Sequence, residues 1–245
     1  MKKESEMIFG IRSIIEAIEA GKEIDKVFLK KDMQSRLAQE LFTAIEGRDI
    51  PVIRVPVEKI NRITMKNHQG ALAFISPVAY QHIEDIIPTL YEQGKAPFIV
   101  ILDGITDVRN FGAIARTCEC AGVDAIVIPQ KNSASINADA IKTSAGALLK
   151  IPVCREKNLT DTIKFLKNSG LKIIGTSEKA SKNYTEANYA DAIGIIMGAE
   201  DMGIAYEHQR YCDETVQIPI VGTIASLNVS VASGIIIYEA LKQRL

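Results

Sequence analysis

Hydrophobic positions along the chain change rhythm near residue 97. Before it, two periods take turns. "IRSIIEAIEAG" and "MQSRLAQELFTAIEGR" space their apolar residues three and four apart, which lines up one helical stripe toward a core. "KVFLK", "IPVIRV" and "GALAFISPV" are short and rich in β-branched residues, as strands are, and "VEKINRIT" predicts a short helix. This alternation predicts a small α/β sandwich over residues 1–78. Residues 79–96, broken by Pro88 and Gly94, read as a partly helical linker.

From residue 97 the apolar runs become continuous. "FIVILD", "AIVIP", "KIIGTS" and "AIGIIMG" carry no polar alternation, the pattern of strands covered on both faces. Helical segments fall between them at "NFGAIARTCECAG", "NADAIKTSAGALL" and "TDTIKFLKNSG". "TVQIPI" adds a short strand, and "SLNVSVASGIIIYEALKQR" a long closing helix with a small, apolar first half. The fold class is α/β: a small N-terminal module, then a mostly parallel sheet with helices on its faces over 97–245.

Composition changes this picture little. With 24% charged residues and a net charge of −1, the chain is neither disordered nor a general polyanion coat. Residues 1–78 carry 13 basic and 11 acidic side chains, a mild positive bias at the front. Cys118, Cys120, Cys154 and Cys212 form no C-x-x-C pair, and His68, His82 and His208 are scattered. We expect buried, unpaired cysteines, no metal and no histidine catalysis. The N-terminus has no apolar signal core, and no run is long enough to span a bilayer, which predicts a cytoplasmic protein.

Open α/β sheets bind ligands beyond the carboxyl ends of their strands. Three such ends are unusual. After "FIVILD", Asn110 stands near a helix start and can cap it, Arg116 follows six residues later, and Gly112, Ala113 and Ala115 leave room for another backbone or a ligand. In "IIMGAEDMGI", Gly198 and Gly203 bracket Glu200 and Asp201. A glycine there allows a flat ligand close to the main chain. The stretch is neither a Walker loop nor G-x-G-x-x-G, which argues against a nucleotide-dependent oxidoreductase. "IPIVGTIASLNVS" forms an irregular connection in which Ser226 and Asn228 are good helix-start residues. By residue type alone, capping and tight turns account for each loop as well as a ligand does.

Together these stretches resemble the three motifs of the SpoU/TrmH family of RNA ribose 2′-O-methyltransferases, in family order. They are N-x-G-x-x-x-R at Asn110, Gly112 and Arg116, then "IIMGAEDMG", then "IPIVGTIASLNVSVASGIIIYEA". "FGIRSIIEAIEAG" and "NHQGALAF" resemble the substrate-binding module of the RlmB-like branch. The resemblance implies a trefoil-knotted (SPOUT) catalytic domain, S-adenosylmethionine as cofactor, and a homodimer through the catalytic domains. It implies methylation of a guanosine ribose in large-subunit ribosomal RNA. A transfer RNA substrate, or a non-catalytic ribosome assembly factor on the same fold, are the alternatives. By motif position Arg116 would face the attacking ribose oxygen. Asn110 would orient it or the sugar, Glu200 would pair with Arg116, and Ser226 and Asn228 would complete the polar wall. Cofactor contacts would come from Thr176, Ser177, Met197, Gly198, Ile218, Ser226 and Leu227. RNA contacts in the front module would come from Arg12, Lys22, Lys26, Lys30 and Arg36.

Overall fold

The computed structural model describes residues 7–245, which divide into two compact units, residues 7–79 and 80–245. The first unit contains β1 (Met7–Phe9), α1 (Ile11–Glu19), β2 (Ile24–Lys30), α2 (Arg36–Ile45), β3 (Val52–Val55), α3 (Val57–Ile63) and β4 (Ala71–Ile75). Its sheet runs β1-β4-β2-β3, antiparallel except for β2 with β3. Ile11, Ile14, Ile15 and Ile18 form the buried stripe of α1, and with Leu41 of α2 they cover Val27, Leu29, Ala71 and Ala73. Ile60 of α3 packs on the other face with Phe28 and Leu72. The three-residue β1 was not legible in the sequence.

The second unit opens with α4 (Ile83–Glu92). The segment expected to be a linker thus supplies Ile83, Ile87 and Leu90 to the second core. Then follow β5 (Phe98–Asp103), α5 (Val108–Cys120), β6 (Ala125–Pro129), α6 (Ala138–Thr143), β7 (Val153–Glu156) and α7 (Leu159–Asn168). The chain continues through β8 (Lys172–Thr176), β9 (Lys182–Asn183), β10 (Ile193–Gly198), α8 (Tyr206–Gln209), β11 (Glu214–Gln217) and α9 (Val229–Arg244). Every pairing in the sheet, ordered β7-β6-β5-β10-β8-β11-β9, is parallel. β5 and the first five residues of β10 are buried throughout, as continuous apolar runs require.

The predicted helix at "NADAIKTSAGALL" breaks in two. Ala145 (φ 51°) and Gly146 (φ 86°) are left-handed and end α6 before a short 3-10 turn. Gly112 proves to be a packing residue. A Cβ there would lie 2.8 Å from Thr143 Cβ and 3.0 Å from the Ala140 carbonyl oxygen, so its absence lets α5 and α6 touch. The cysteines are unpaired, but only Cys118 and Cys154 are buried; Cys212 is half-buried and Cys120 is exposed. Cys120 falls in the last turn of α5, outside its buried stripe of Phe111, Ile114, Ala115 and Cys118. Among the described residues no helix is long and apolar enough to cross a membrane, and no cluster of metal-ligating side chains occurs.

Candidate active site

Three strand ends meet at one carboxylate. Glu200 Oε1 accepts hydrogen bonds from Asn228 Nδ2 (2.6 Å), Asn110 Nδ2 (3.2 Å) and the Val229 amide (3.2 Å). Asn228 Nδ2 also donates to Asn110 Oδ1 (3.0 Å). Each partner reaches this hub because another group takes over its local role. Asp107, not Asn110, caps α5; its Oδ1 accepts from the amides of Arg109 (2.9 Å) and Asn110 (2.8 Å). Asn110 therefore sits inside the first turn with its side chain free for the hub. Asn228 caps α9 through Oδ1, which accepts from the Ser230 amide at 3.0 Å, and this leaves its Nδ2 for Glu200.

The turn that presents Glu200 is tightly held. Ala199 and Gly203 exchange backbone hydrogen bonds of 3.1 and 2.8 Å, and Gly203 adopts φ +65°. A Cβ on Gly198 would fall 2.1 Å from Gly203 C and 2.2 Å from Ile204 N. The space a Cβ would take at Gly198 is thus filled by the chain's own backbone, and its main chain also borders the cleft beside the hub. Asp103, opposite Gly198 in the sheet register, pins the far side of the turn. Its Oδ2 accepts from the Ala205 amide and hydrogen-bonds His208 Nδ1, both at 2.8 Å. Both side chains are buried, so His208 belongs to the scaffold. Asp103 was missed in the sequence because it reads as the polar end of an apolar strand.

Arg116 does not join the hub. Six residues separate it from Asn110, about 9 Å along the helix and about 240° around it. Arg116 is exposed, and among the described residues it makes no hydrogen bond or ion pair with Asn110, Glu200 or Asn228. The expected Glu200–Arg116 pair is replaced by bonds from Glu200 to two asparagines and a main-chain amide.

Beside the hub lies a mostly apolar cleft, open to solvent. Thr176, Ser177, Met197, Gly198, Ile218, Ser226 and Leu227 all line it, joined by Glu200, Val229 and Ile236. Of these, Val229 and Ile236 gave no sequence signal beyond helical apolarity. Thr176 Oγ1 donates to the Ile196 carbonyl (3.0 Å) and the Ser177 amide to Val216 O (2.9 Å), so the wall is set by strand-end main chain. A second depression of about 360 Å³ is lined by Gly104, Thr106, Asp107 and Asn110, and shares Ala199, Glu200 and Val229 with the cleft. An apolar slot with polar ends suits a flat heterocycle carrying a charged tail, and the adjoining polar hollow suits a sugar.

In the first unit the five expected RNA contacts do not form one patch. Arg12 and Arg36 converge on Glu40, at 3.6 and 3.4 Å. Lys22 and Lys30 are exposed at a turn and at the end of β2. Lys26 pairs with Asp25 at 3.7 Å and lies over aromatic rings.

A parallel sheet with a backbone-walled cleft at its strand ends defines an α/β ligand-binding domain, which follows a separate small module in the chain. Residues 97–238 match the SpoU rRNA Methylase family, and residues 7–81 match the RNA 2′-O ribose methyltransferase substrate binding family. The chain belongs to the SpoU rRNA Methylase family. It is 34% identical to the 23S rRNA (guanosine-2′-O-)-methyltransferases RlmB of Escherichia coli and Photorhabdus laumondii, in each case over 98% of this chain and 99% of the relative. Among solved structures it is similar to the AdoMet-bound rRNA methyltransferase of Sinorhizobium meliloti, with TM-score 0.63, 25% identity, and coverage of 98% of this chain and 88% of that one.

Proposed function

We propose that the chain methylates a ribose 2′-hydroxyl of structured RNA, a guanosine of 23S ribosomal RNA, with S-adenosylmethionine as donor. The observation that carries this reading is the joining of the apolar cleft to the polar hollow through Glu200. Such a junction holds a donor and an acceptor side by side, and orientation of this kind supplies much of the rate. S-adenosylmethionine, when bound, supplies an electrophilic methyl group on a positively charged sulfur. Thr176, Ser177, Met197, Gly198, Ile218, Ser226 and Leu227 hold the cofactor, largely through main chain. Asn110 and Asn228, locked by Glu200, hold the ribose.

A free hydroxyl is a weak nucleophile, so its proton must leave as the carbon–oxygen bond forms. Arginine does not give up its own proton at usable pH. Arg116 therefore stabilises the developing alkoxide, and the proton passes to a phosphate oxygen of the RNA. A homodimer completes the site. The first ten residues of α9, Val229–Tyr238, carry no charged side chain, yet Val231 and Tyr238 are 51% and 50% exposed on it. Helices of that kind are normally covered. A second copy packed on α9 and its neighbour α5 would cover these side chains and bring its exposed Arg116 toward the cleft. The non-sequential strand order, with β10 between β5 and β8, is compatible with the trefoil knot of this reading. Residues 1–78 act as the RNA-holding module, and the protein works in the cytoplasm.

Transfer of tritium from labelled S-adenosylmethionine to ribosomal RNA of a deletion strain tests the proposal. One guanosine ribose gains label. Arg116→Ala lowers the rate about 10³-fold, the scale of losing a charge-stabilising donor, while calorimetry shows unchanged cofactor affinity. Arg116→Lys loses rate evenly across pH. No heat with S-adenosylmethionine or its demethylated product, from demonstrably folded protein, overturns the reading.

A further inference from the structure

Among the described residues, one face of the N-terminal sheet is covered in full and the other in part. Strand alternation turns Ile8, Val27, Leu29, Ala71 and Ala73 toward α1 and α2. The opposite face carries the rows Met7–Phe74–Lys26 and Phe9–Leu72–Phe28. α3 covers Phe28 and Leu72 with Ile60, while Phe9 and Phe74 stay half-buried. Phe28 meets Phe74 edge-on, centroids 5.5 Å apart at 76°, which braces the Phe74 ring. Three lysines sit on these rings. Lys26 Nζ lies 5.4 Å from the Phe74 centroid and 6.0 Å from Phe28, Lys59 Nζ lies 5.3 Å from Phe28, and Lys66 Nζ lies 5.2 Å from Phe9. Four lysine–ring contacts thus gather on one face of a single small unit.

We propose that this face is a stacking platform for an unpaired segment of the RNA substrate. Phe9 and Phe74 offer ring faces to bases, and Lys26, Lys59 and Lys66 exchange a ring for a phosphate as the strand settles. Base–aromatic stacking tolerates any sequence, and paired bases in an A-form helix cannot reach such rings. The platform therefore selects single-stranded over duplex RNA. The inference rests on the reading that the first unit holds RNA, and deepens it by naming the form of RNA and the surface that takes it. That surface shares only Lys26 with the basic residues singled out in the sequence.

The test uses the full-length protein and a fluorescein-labelled RNA of about 12 nucleotides, within the span of known stacking grooves. The RNA has no self-complementarity, and the control is the same strand annealed to its complement. Anisotropy is followed over a salt series. The single strand binds about 10-fold more tightly than the duplex. Phe9→Leu and Phe74→Leu each weaken single-strand binding about 10-fold and leave the salt slope alone. Lys59→Gln and Lys66→Gln, at exposed positions that do not threaten folding, each flatten the slope by about 0.7. Equal affinity for the duplex, affinity and slope unmoved by all four exchanges, or equal competition by an acidic peptide each overturns the platform. Calorimetry with S-adenosylmethionine on the same samples separates the two readings. Cofactor heat with unaltered RNA binding in the variants sinks the platform alone. Strand binding through these rings without cofactor heat keeps the platform and sinks the methyltransferase.

Discussion

The Glu200 hub and the loop of residues 218–227 both meet the same cleft, yet they are held in opposite ways. Glu200, Asn110 and Asn228 hydrogen-bond one another, and the turn beneath them leaves no room for a side chain at Gly198. The loop is almost bare. Val221 is 100% exposed and Ile224 74%, and a Cβ on Gly222 would touch nothing within 4 Å. Exposed apolar side chains gathered in one place mark a binding surface. The hub is thus held together by groups of one chain, whereas the tip of the loop makes few contacts of its own and presents apolar side chains to solvent.

The largest effect that tests this contrast comes from a single methyl group. Gly198→Ala must displace the Gly203–Ile204 backbone, which no rotamer change can relieve. We expect about 3 kcal/mol of destabilisation in urea melts, at the top of the overpacking range, and loss of methyl transfer. Gly222→Ala should shift stability by no more than about 0.5 kcal/mol, as surface changes do. Similar losses at the two glycines would erase the distinction between a packed hub and an open loop.

Glu200→Ala comes next. It leaves Asn110, Asn228 and the Val229 amide without their shared acceptor. The expected loss is about 100-fold in rate, with about 1–3 kcal/mol of stability lost for the unpaired groups. Glu200→Gln keeps one accepting oxygen and should recover most of the stability but less of the rate. Full rate in the glutamine variant would mean that the hub acts by shape alone, without its charge.

How much of this could be read in the chain depends on the range of the interaction. Continuous apolar runs announced β5, β6, β8 and β10, because a strand buried on both faces leaves no polar alternation to misread. β7 escaped notice because Arg155 and Glu156 follow Val153 and Cys154 and hide a four-residue strand. Asn110 and Asn228 were each visible as possible caps and Glu200 as an acid in a glycine-bracketed turn, but nothing local says that Asn110 and Asn228, 118 residues apart, share a hydrogen bond. Within one chain Arg116 does not pair with Glu200, since six residues carry its side chain most of the way around α5 from Asn110, which Glu200 does hold. Gly198 shows the same limit. A sequence can show that space is kept, but not whether ligand or backbone fills it.

The smallest effect concerns the root of the open loop, where charge does the holding. Burial of the Asp213 carboxyl tends to raise its pKa. The Ile173 amide at 2.8 Å and Lys167 at 2.6 Å outweigh burial and hold it below the ordinary carboxylate value. Glu214 is likewise lowered against burial by Lys172 and Lys182. A depressed folded-state pKa stabilises above the unfolded value and is lost as pH falls through the folded one. Acid below about pH 4 should therefore loosen β11, which leads into the loop. Thermal melts between neutral and acid pH should show a steeper loss for the wild type than for the Asp213→Asn, Glu214→Gln double variant. At neutral pH the double variant should be the less stable of the two, by a small margin that salt reduces, because these pairs are partly exposed. Parallel pH profiles would show that hydrogen-bond shape rather than charge anchors the strand, and that the loop's root is held by the same means as the hub.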